Sequence, residues 1–318
     1  MANTNDQRSE KECVLVQTPL LGGILQGLEE HYSVIQLVAG VDAADLKVSL
    51  SSIRALVSWR KVPVDLLESL GNLGIIANYG VGVDNIDLDY CRNRGIRVTN
   101  TPDVVTDDVA DLAILLMLAV RRKLQKAHEF VRDRSWENMR FPLTRKASGL
   151  RLGILGLGRI GMAIAKRAEG FDYIISYHGR TKKPGISYTF YSKISELAAN
   201  SDILVIACAL TDDTKHLVDK DVLDALGPEG ILINIGRGPV VDEPALVKAL
   251  LEKRLGGAGL DVFENEPHVP RELLNMDNVI LTPHVGTATW ETRRTMDKLV
   301  QDNIDAFFAG KPLLTPVV

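Results

Sequence analysis

The chain has 318 residues, and its 37 lysines and arginines against 41 aspartates and glutamates give a formal net charge of −4, which excludes the electrostatic footprint of a nucleic-acid binder. The length predicts about two domains, each able to bury its own core. Cys13, Cys91 and Cys208 are odd in number and far apart, so neither a disulfide framework nor a metal cluster is expected.

The first ten residues are polar and acidic rather than basic and then apolar, so no secretory signal is expected, and the start through Glu12 reads as disordered. Short apolar runs at 14–16, 34–37, 55–58, 75–78 and 97–99 alternate with helical patterns. They predict a small doubly wound, flavodoxin-like α/β domain. The stretch Asn100-Thr101-Pro102-Asp103 breaks this pattern, and one long helix over about 106–134 is expected to cross to a second domain. Its apolar part, 112–120, is far short of the about 20 residues a bilayer requires. Asp107, Asp108 and Asp111 precede that part and Arg121, Arg122 and Lys123 follow it, the charge order of a buried helix whose ends complement its dipole. With no membrane segment or targeting tripeptide in view, a cytoplasmic protein is expected.

Leu152-Gly153-Ile154-Leu155 followed by Gly156-Leu157-Gly158-Arg159-Ile160-Gly161 describes a backbone built to touch a pyrophosphate. A buried strand feeds a tight turn at Gly156, Gly158 lets phosphates approach, and Gly161 lets the next helix pack close with its positive end toward the anion. A second strand, 173–177, follows. NAD sites usually carry an acidic residue at the end of that strand, yet no carboxylate occurs from Tyr173 through Ser195, while His178, Arg180, Lys182 and Lys183 cluster there. Arg180 can clamp a 2′-phosphate and Thr181 can donate a hydroxyl, so NADPH is expected over NADH. A solvated basic loop is the alternative reading.

Further buried-strand runs lie at 203–206, 230–235, 257–262 and 279–282, and ligands of open α/β sheets bind beyond the carboxyl ends of such strands. Arg237, Glu266 and His284 each stand a few residues past one of these runs. In carbonyl reduction His284 can donate the proton, Glu266 can orient and charge the ring, and Arg237 can hold a carboxylate and polarise the carbonyl. Surface placement is the alternative for each residue taken alone. The final helical stretch, 290–309, is expected to return to the first domain. The resulting organisation is a substrate-binding domain of 1–102 plus 288–318, with a Rossmann NADP-binding domain of 103–287 inserted into it.

The chain also resembles the D-isomer-specific 2-hydroxyacid dehydrogenases over nearly its whole length. The resemblance is carried by Tyr79-Gly80-Val81-Gly82-Val83-Asp84-Asn85-Ile86-Asp87, the glycine motif, Asn234-Ile235-Gly236-Arg237-Gly238, Gly259-Leu260-Asp261-Val262-Phe263-Glu264-Asn265-Glu266-Pro267 and Pro283-His284-Val285-Gly286. It implies that Arg237, Glu266 and His284 are catalytic and that backbone N–H groups around Val81 and Gly82 bind the substrate carboxylate. It further implies that Asp261 meets the nicotinamide amide, that Cys208 and Ile235 line the cofactor, and that residues 135–146 lie near the partner of a homodimer. Many relatives have proline where this chain has Ala209.

Within the family the chain looks most like the NADPH-dependent glyoxylate/hydroxypyruvate reductases and the hydroxyphenylpyruvate reductases of plants, particularly over 103–112 and 310–318. The expected reaction is reduction of a small 2-oxo acid to the D-2-hydroxy acid with NADP(H). Alternatives are 4-hydroxyphenylpyruvate as substrate, or a corepressor-like scaffold that binds dinucleotide without turnover. Trp59 and Arg60, at the end of a strand in the smaller domain, are candidates for shaping the substrate pocket, and Trp59 can equally be a core residue.

Overall fold

The computed structural model describes residues 11–20, 22–41, 45–46 and 48–318. The expected disorder of the chain start falls, up to Glu10, outside those residues; Glu12 itself is held, with its carbonyl accepting from Ser33 N–H and its carboxylate paired with Arg54. The chain divides into one unit reaching to Val105 with Ala288–Val318 added, and a second unit of Thr106–Thr287.

In the first unit β1 (Cys13–Thr18), β2 (Ser33–Val38), β3 (Ile53–Ser58), β4 (Ile75–Asn78) and β5 (Arg97–Thr99) form a parallel sheet in the order β2-β1-β3-β4-β5. β1 and β4 are buried at every residue, as expected of central strands covered on both faces, whereas edge strand β2 is buried only at Leu37. Helices α1 (Ile24–His31), α2 (Val64–Ser69) and α3 (Leu88–Arg94) connect the strands. The Asp87 side chain caps α3 by accepting from Tyr90 N–H, and Gly95 ends it in the left-handed conformation that costs glycine least.

The second unit begins with α4 (Thr106–Arg122) and α5 (Leu124–Arg132), which correct the single helix expected over 106–134. Lys123, at φ 47°, breaks the run. α4 buries Val109, Ala113, Leu116, Met117 and Val120, and this apolar stripe ends where Arg121 and Arg122 begin. α5 has no buried residue, so the chain turns at the point where core packing stops. Both helices belong to the second unit, which begins at the first residue of α4.

There follow β6 (Arg151–Leu155), α6 (Arg159–Glu169), β7 (Ile174–His178), β8 (Thr189–Phe190), α7 (Ile194–Ala199), β9 (Ile203–Ile206), α8 (Lys220–Leu226), β10 (Ile231–Asn234), α9 (Glu243–Leu251), β11 (Gly257–Leu260) and β12 (Val279–Leu281). The parallel sheet runs β12-β11-β10-β9-β6-β7-β8. Strand order reverses at β6, with β7 on one side and β9 on the other, and such a switch point is where a dinucleotide crevice forms. β9, β10 and β11 are buried throughout, so they read in the sequence as continuous apolar runs. β8 has only two residues, too few for any periodicity to announce it. The last helix, α10 (Trp290–Phe308), belongs to the first unit, where Tyr79 donates its hydroxyl to Asp297 at 2.6 Å. Among the described residues no helix is long and apolar enough to cross a membrane, and no cluster of side chains could hold a metal ion.

Candidate active site

The glycine loop leaves the end of β6 at the switch point. Gly156 has φ +93°, and a Cβ there would lie 2.7 Å from the Cys208 backbone. Only glycine fits this turn. At Gly161 a Cβ would stand 2.1 Å from the Gly156 carbonyl oxygen, so the first turn of α6 seats against the loop because that side chain is missing. Gly158 has open space where its Cβ would be, and as N-cap it sends no side chain back onto the first-turn N–H groups of α6. A helix end without a side-chain cap, with the positive pole of the helix behind it, suits an anion. Leu157 is buried, while Arg159 is exposed and Ile160 half-buried.

Beyond β7 the predicted basic cluster divides. The His178 ring sits on the Tyr191 carbonyl, with Nδ1 2.9 Å from the oxygen, so this imidazole is tied to the chain. Arg180, Thr181 and Lys182 are exposed. Cys208 lies half-buried against Gly156, and burial pushes its thiol up to about 11, which leaves it a neutral packing group. Ile235 is buried behind β10.

Arg237, Glu266 and His284 follow β10, β11 and β12, three neighbouring strands of one sheet. His284 Nδ1 lies 2.8 Å from Glu266 Oε2, and the other oxygen, Oε1, accepts from Phe263 N–H at 3.0 Å. Burial works to raise the Glu266 carboxyl, but the His284 hydrogen bond and charge, the Phe263 N–H and the Arg237 guanidinium together hold it below the ordinary range. Arg237 is half-buried; its Nη1 donates to the Gly236 carbonyl at 2.9 Å, and its own carbonyl accepts from Asn234 Nδ2 at 3.0 Å.

Asp261 has a structural duty that the sequence did not announce. One oxygen accepts from Thr282 Oγ1 at 2.6 Å and Val285 N–H at 2.8 Å, and the other accepts from Gly286 N–H at 2.9 Å. Its backbone carbonyl accepts from His284 N–H at 2.8 Å. These bonds hold His284 at φ 53°, a left-handed conformation that is costly for a residue with a Cβ. Burial keeps the Asp261 carboxyl above its usual range in spite of the three donors. Asn234 and Glu243 were also missed as sequence candidates; a polar residue at a strand end and an acid within an otherwise apolar segment were the available signals.

The first unit's candidates sit at the carboxyl ends of β3 and β4. The Gly80 carbonyl accepts from Asn78 Nδ2 at 3.1 Å and from Thr101 N–H, while the Val81 carbonyl accepts from Asn100 Nδ2 at 2.8 Å. Since the C=O and N–H of a trans peptide point in opposite directions, the N–H groups of Val81 and Gly82 are aimed away from those amides. Trp59 donates its indole N–H to the Gln17 carbonyl at 3.1 Å and leaves 44% of its surface exposed. It is therefore an anchored surface ring and not a core residue.

Residues 114–286 match the family profile described as D-isomer specific 2-hydroxyacid dehydrogenase, NAD binding domain. Over 308 residues the chain is 53% identical to a hydroxyphenylpyruvate reductase of Plectranthus scutellarioides, covering 96% of this chain and 98% of that protein. It is 52% identical to the glyoxylate/hydroxypyruvate reductase A HPR2 of Arabidopsis thaliana, with the same coverage of 96% and 98%. Among solved structures it is similar, with a TM-score of 0.93 and 42% identity over 97% of each chain, to the NADPH-dependent glyoxylate/hydroxypyruvate reductase SmGhrB of Sinorhizobium meliloti in complex with NADP and malonate.

Proposed function

Because the chain belongs to the D-isomer specific 2-hydroxyacid dehydrogenase family, we propose that it uses NADPH to reduce a small 2-oxo acid, hydroxypyruvate or glyoxylate, to the D-2-hydroxy acid. The observation that carries this reading is the His284–Glu266 pair at 2.8 Å, one strand end away from Arg237 on a sheet whose glycine loop suits a pyrophosphate. The relatives are named reductases, which favours an enzyme over a corepressor-like scaffold.

The glycine loop fits the diphosphate of NADP(H), and Arg180, Thr181 and Lys182 fit the ribose 2′-phosphate. When bound, the cofactor supplies the hydride that adds to the keto carbon. Arg237 binds the substrate carboxylate, and its charge polarises the carbonyl. With Nδ1 of His284 directed at Glu266, Nε2 is the nitrogen that delivers a proton to the developing alkoxide. Glu266 stabilises the imidazolium before that transfer. Cys208 and Ile235 would line the nicotinamide side, and Asp261 would hold the carboxamide through the one acceptor site, on Oδ2, that its three donors leave.

Two further parts of the reading concern setting. A homodimer with residues 135–146 near the partner is supported by the exposed Trp136, Met139 and Leu143 side chains, and a cytoplasmic location is the setting we assign.

NADPH oxidation with hydroxypyruvate, glyoxylate and 4-hydroxyphenylpyruvate tests the activity, and inactivity with all three would refute it. Substitution Arg180→Ala should raise KM for NADPH about tenfold while sparing NADH, the loss of one charge-assisted phosphate clamp. Equal effects on the two cofactors would remove the assignment of Arg180 to the 2′-phosphate.

A further inference from the structure

We propose that Glu243 and His216 are positioning residues which, acting through Glu264, clamp the loop carrying Arg237 to the loop carrying Glu266 and thereby fix the spacing of the two catalytic groups. The inference rests on the catalytic reading of Arg237 and Glu266. The clamp itself is described by contacts within the second unit.

The two loops touch backbone to backbone. A Cβ at Gly238, next to Arg237, would lie 1.9 Å from the Phe263 carbonyl carbon and 2.4 Å from Glu264 N, so only glycine permits this approach. Around that contact a ring of hydrogen bonds closes. Glu264 N–H donates to Glu243 Oε1 at 3.1 Å. The Glu264 side chain turns toward the loop after β9, where its Oε1 meets His216 Nε2 at 2.9 Å. His216 N–H in turn donates to the Pro239 carbonyl at 2.8 Å, in the 3₁₀ turn Gly238–Val240 that immediately follows Arg237.

Local structure alone does not require these residues. α9 already has its cap, since Asp242 accepts from Ala245 N–H at 3.0 Å, so Glu243 at the first helical position is not needed to start the helix. Glu243 is only 8% exposed, and a carboxyl on so buried a residue is costlier than an apolar side chain in the same position. Burial raises the Glu243 carboxyl; the Glu264 N–H opposes that rise, and the charges of Glu264 and Glu266 add to it. His216 holds φ 51°, a strained conformation for a residue other than glycine. Both costs fall on residues whose common partner is Glu264, two positions before Glu266.

Hydrogen–deuterium exchange read alongside kinetics tests the clamp. In Glu243→Ala, amide exchange across 235–241 and 261–266 should rise about fivefold or more. In the same variant kcat for hydroxypyruvate should fall about tenfold with KM for NADPH unchanged, because loop spacing and not cofactor binding is disturbed. Glu243→Gln keeps an oxygen that accepts from Glu264 N–H and should restore most of both quantities. His216→Ala, which leaves α9 intact, should reproduce both changes at smaller size, and it keeps the test available if Glu243→Ala fails to fold. Unaltered exchange in His216→Ala and Glu243→Ala, raised exchange with wild-type kcat, or a Gln variant as damaged as the Ala variant would each overturn the proposal. Exchange needs no turnover, so a chain inactive on every 2-oxo acid would refute the catalytic reading while the clamp is still judged by its amides.

Discussion

Glu266 lies under opposing influences: burial raises its carboxyl, whereas His284, the Phe263 N–H and Arg237 lower it, and the lowering prevails. Held below its ordinary range, Glu266 presents a negative charge to the His284 ring across a 2.8 Å contact. Reduction needs the protonated ring, and activity disappears as pH rises through the limb on which that proton is lost. Glu266→Gln removes the negative charge, so this limb of kcat/KM for hydroxypyruvate should move toward acid. With His284 48% and Glu266 35% exposed, solvent screens the pair and the shift should not exceed about one pH unit. An unmoved limb would detach Glu266 from the proton donor. Trp59 offers a second test at this scale. Its ring is fixed by the Gln17 carbonyl, and the neighbouring Ser58 hydroxyl donates to Gln17 Oε1 at 2.9 Å. If the ring limits what a 2-oxo acid can carry beyond its keto carbon, Trp59→Ala should raise kcat/KM for 4-hydroxyphenylpyruvate relative to hydroxypyruvate about tenfold or more, the value of accommodating one aryl group. A constant ratio would leave Trp59 no part in selecting substrate.

α6 and its loop show where an element depends on one missing side chain. Gly161→Ala would drive a Cβ to 2.1 Å from the Gly156 oxygen, and overpacking of this kind costs about 1–3 kcal/mol. The melting temperature should drop and NADPH affinity should fall with it, because the helix end that faces the anion is displaced. A folded variant with wild-type affinity would show that the loop does not set the binding geometry. This element was legible in the sequence because Gly156 and Gly161 answer to distinct steric needs, while Gly158 leaves the helix end without a side-chain cap. Strands β9 to β11 were legible because burial on both faces leaves them continuously apolar. The break at Lys123 was not legible, since Arg121, Arg122 and Lys123 are all good helix formers and only the end of core contact stops α4. Arg237, Glu266 and His284 could be located from strand ends. The Asp261 and Glu243 contacts could not be, because each joins loops whose proximity is created by the fold.

For the molecule as a whole, the exposed apolar surface is not evenly spread. Leu124, Val131, Trp136, Met139 and Leu143 are 53%, 55%, 66%, 62% and 100% exposed within one stretch of chain. So many large apolar side chains left exposed along one short stretch of a folded chain mark it as an interaction surface. The stretch is also ordered in advance. Phe130 packs edge-on against Phe141 at 5.3 Å, Arg121 donates from Nη2 to the Lys146 carbonyl at 2.9 Å, and Arg122 donates from Nε to Thr144 Oγ1 at 3.0 Å. Pre-ordering reduces the entropy lost on association, which favours a tight complex. A second copy of the chain presents the same patch, so a two-fold isologous interface is the simplest arrangement that covers it. Light scattering at micromolar concentration should therefore give twice the chain mass of 34.9 kDa. The double variant Trp136→Asp, Leu143→Asp puts charges into the desolvated patch and should shift the protein to monomer, while circular dichroism and the melting of the remaining fold change little because neither side chain is buried within the chain. A wild-type mass of one chain would remove the dimer, and a double variant that still runs as a dimer would move the interface to another face.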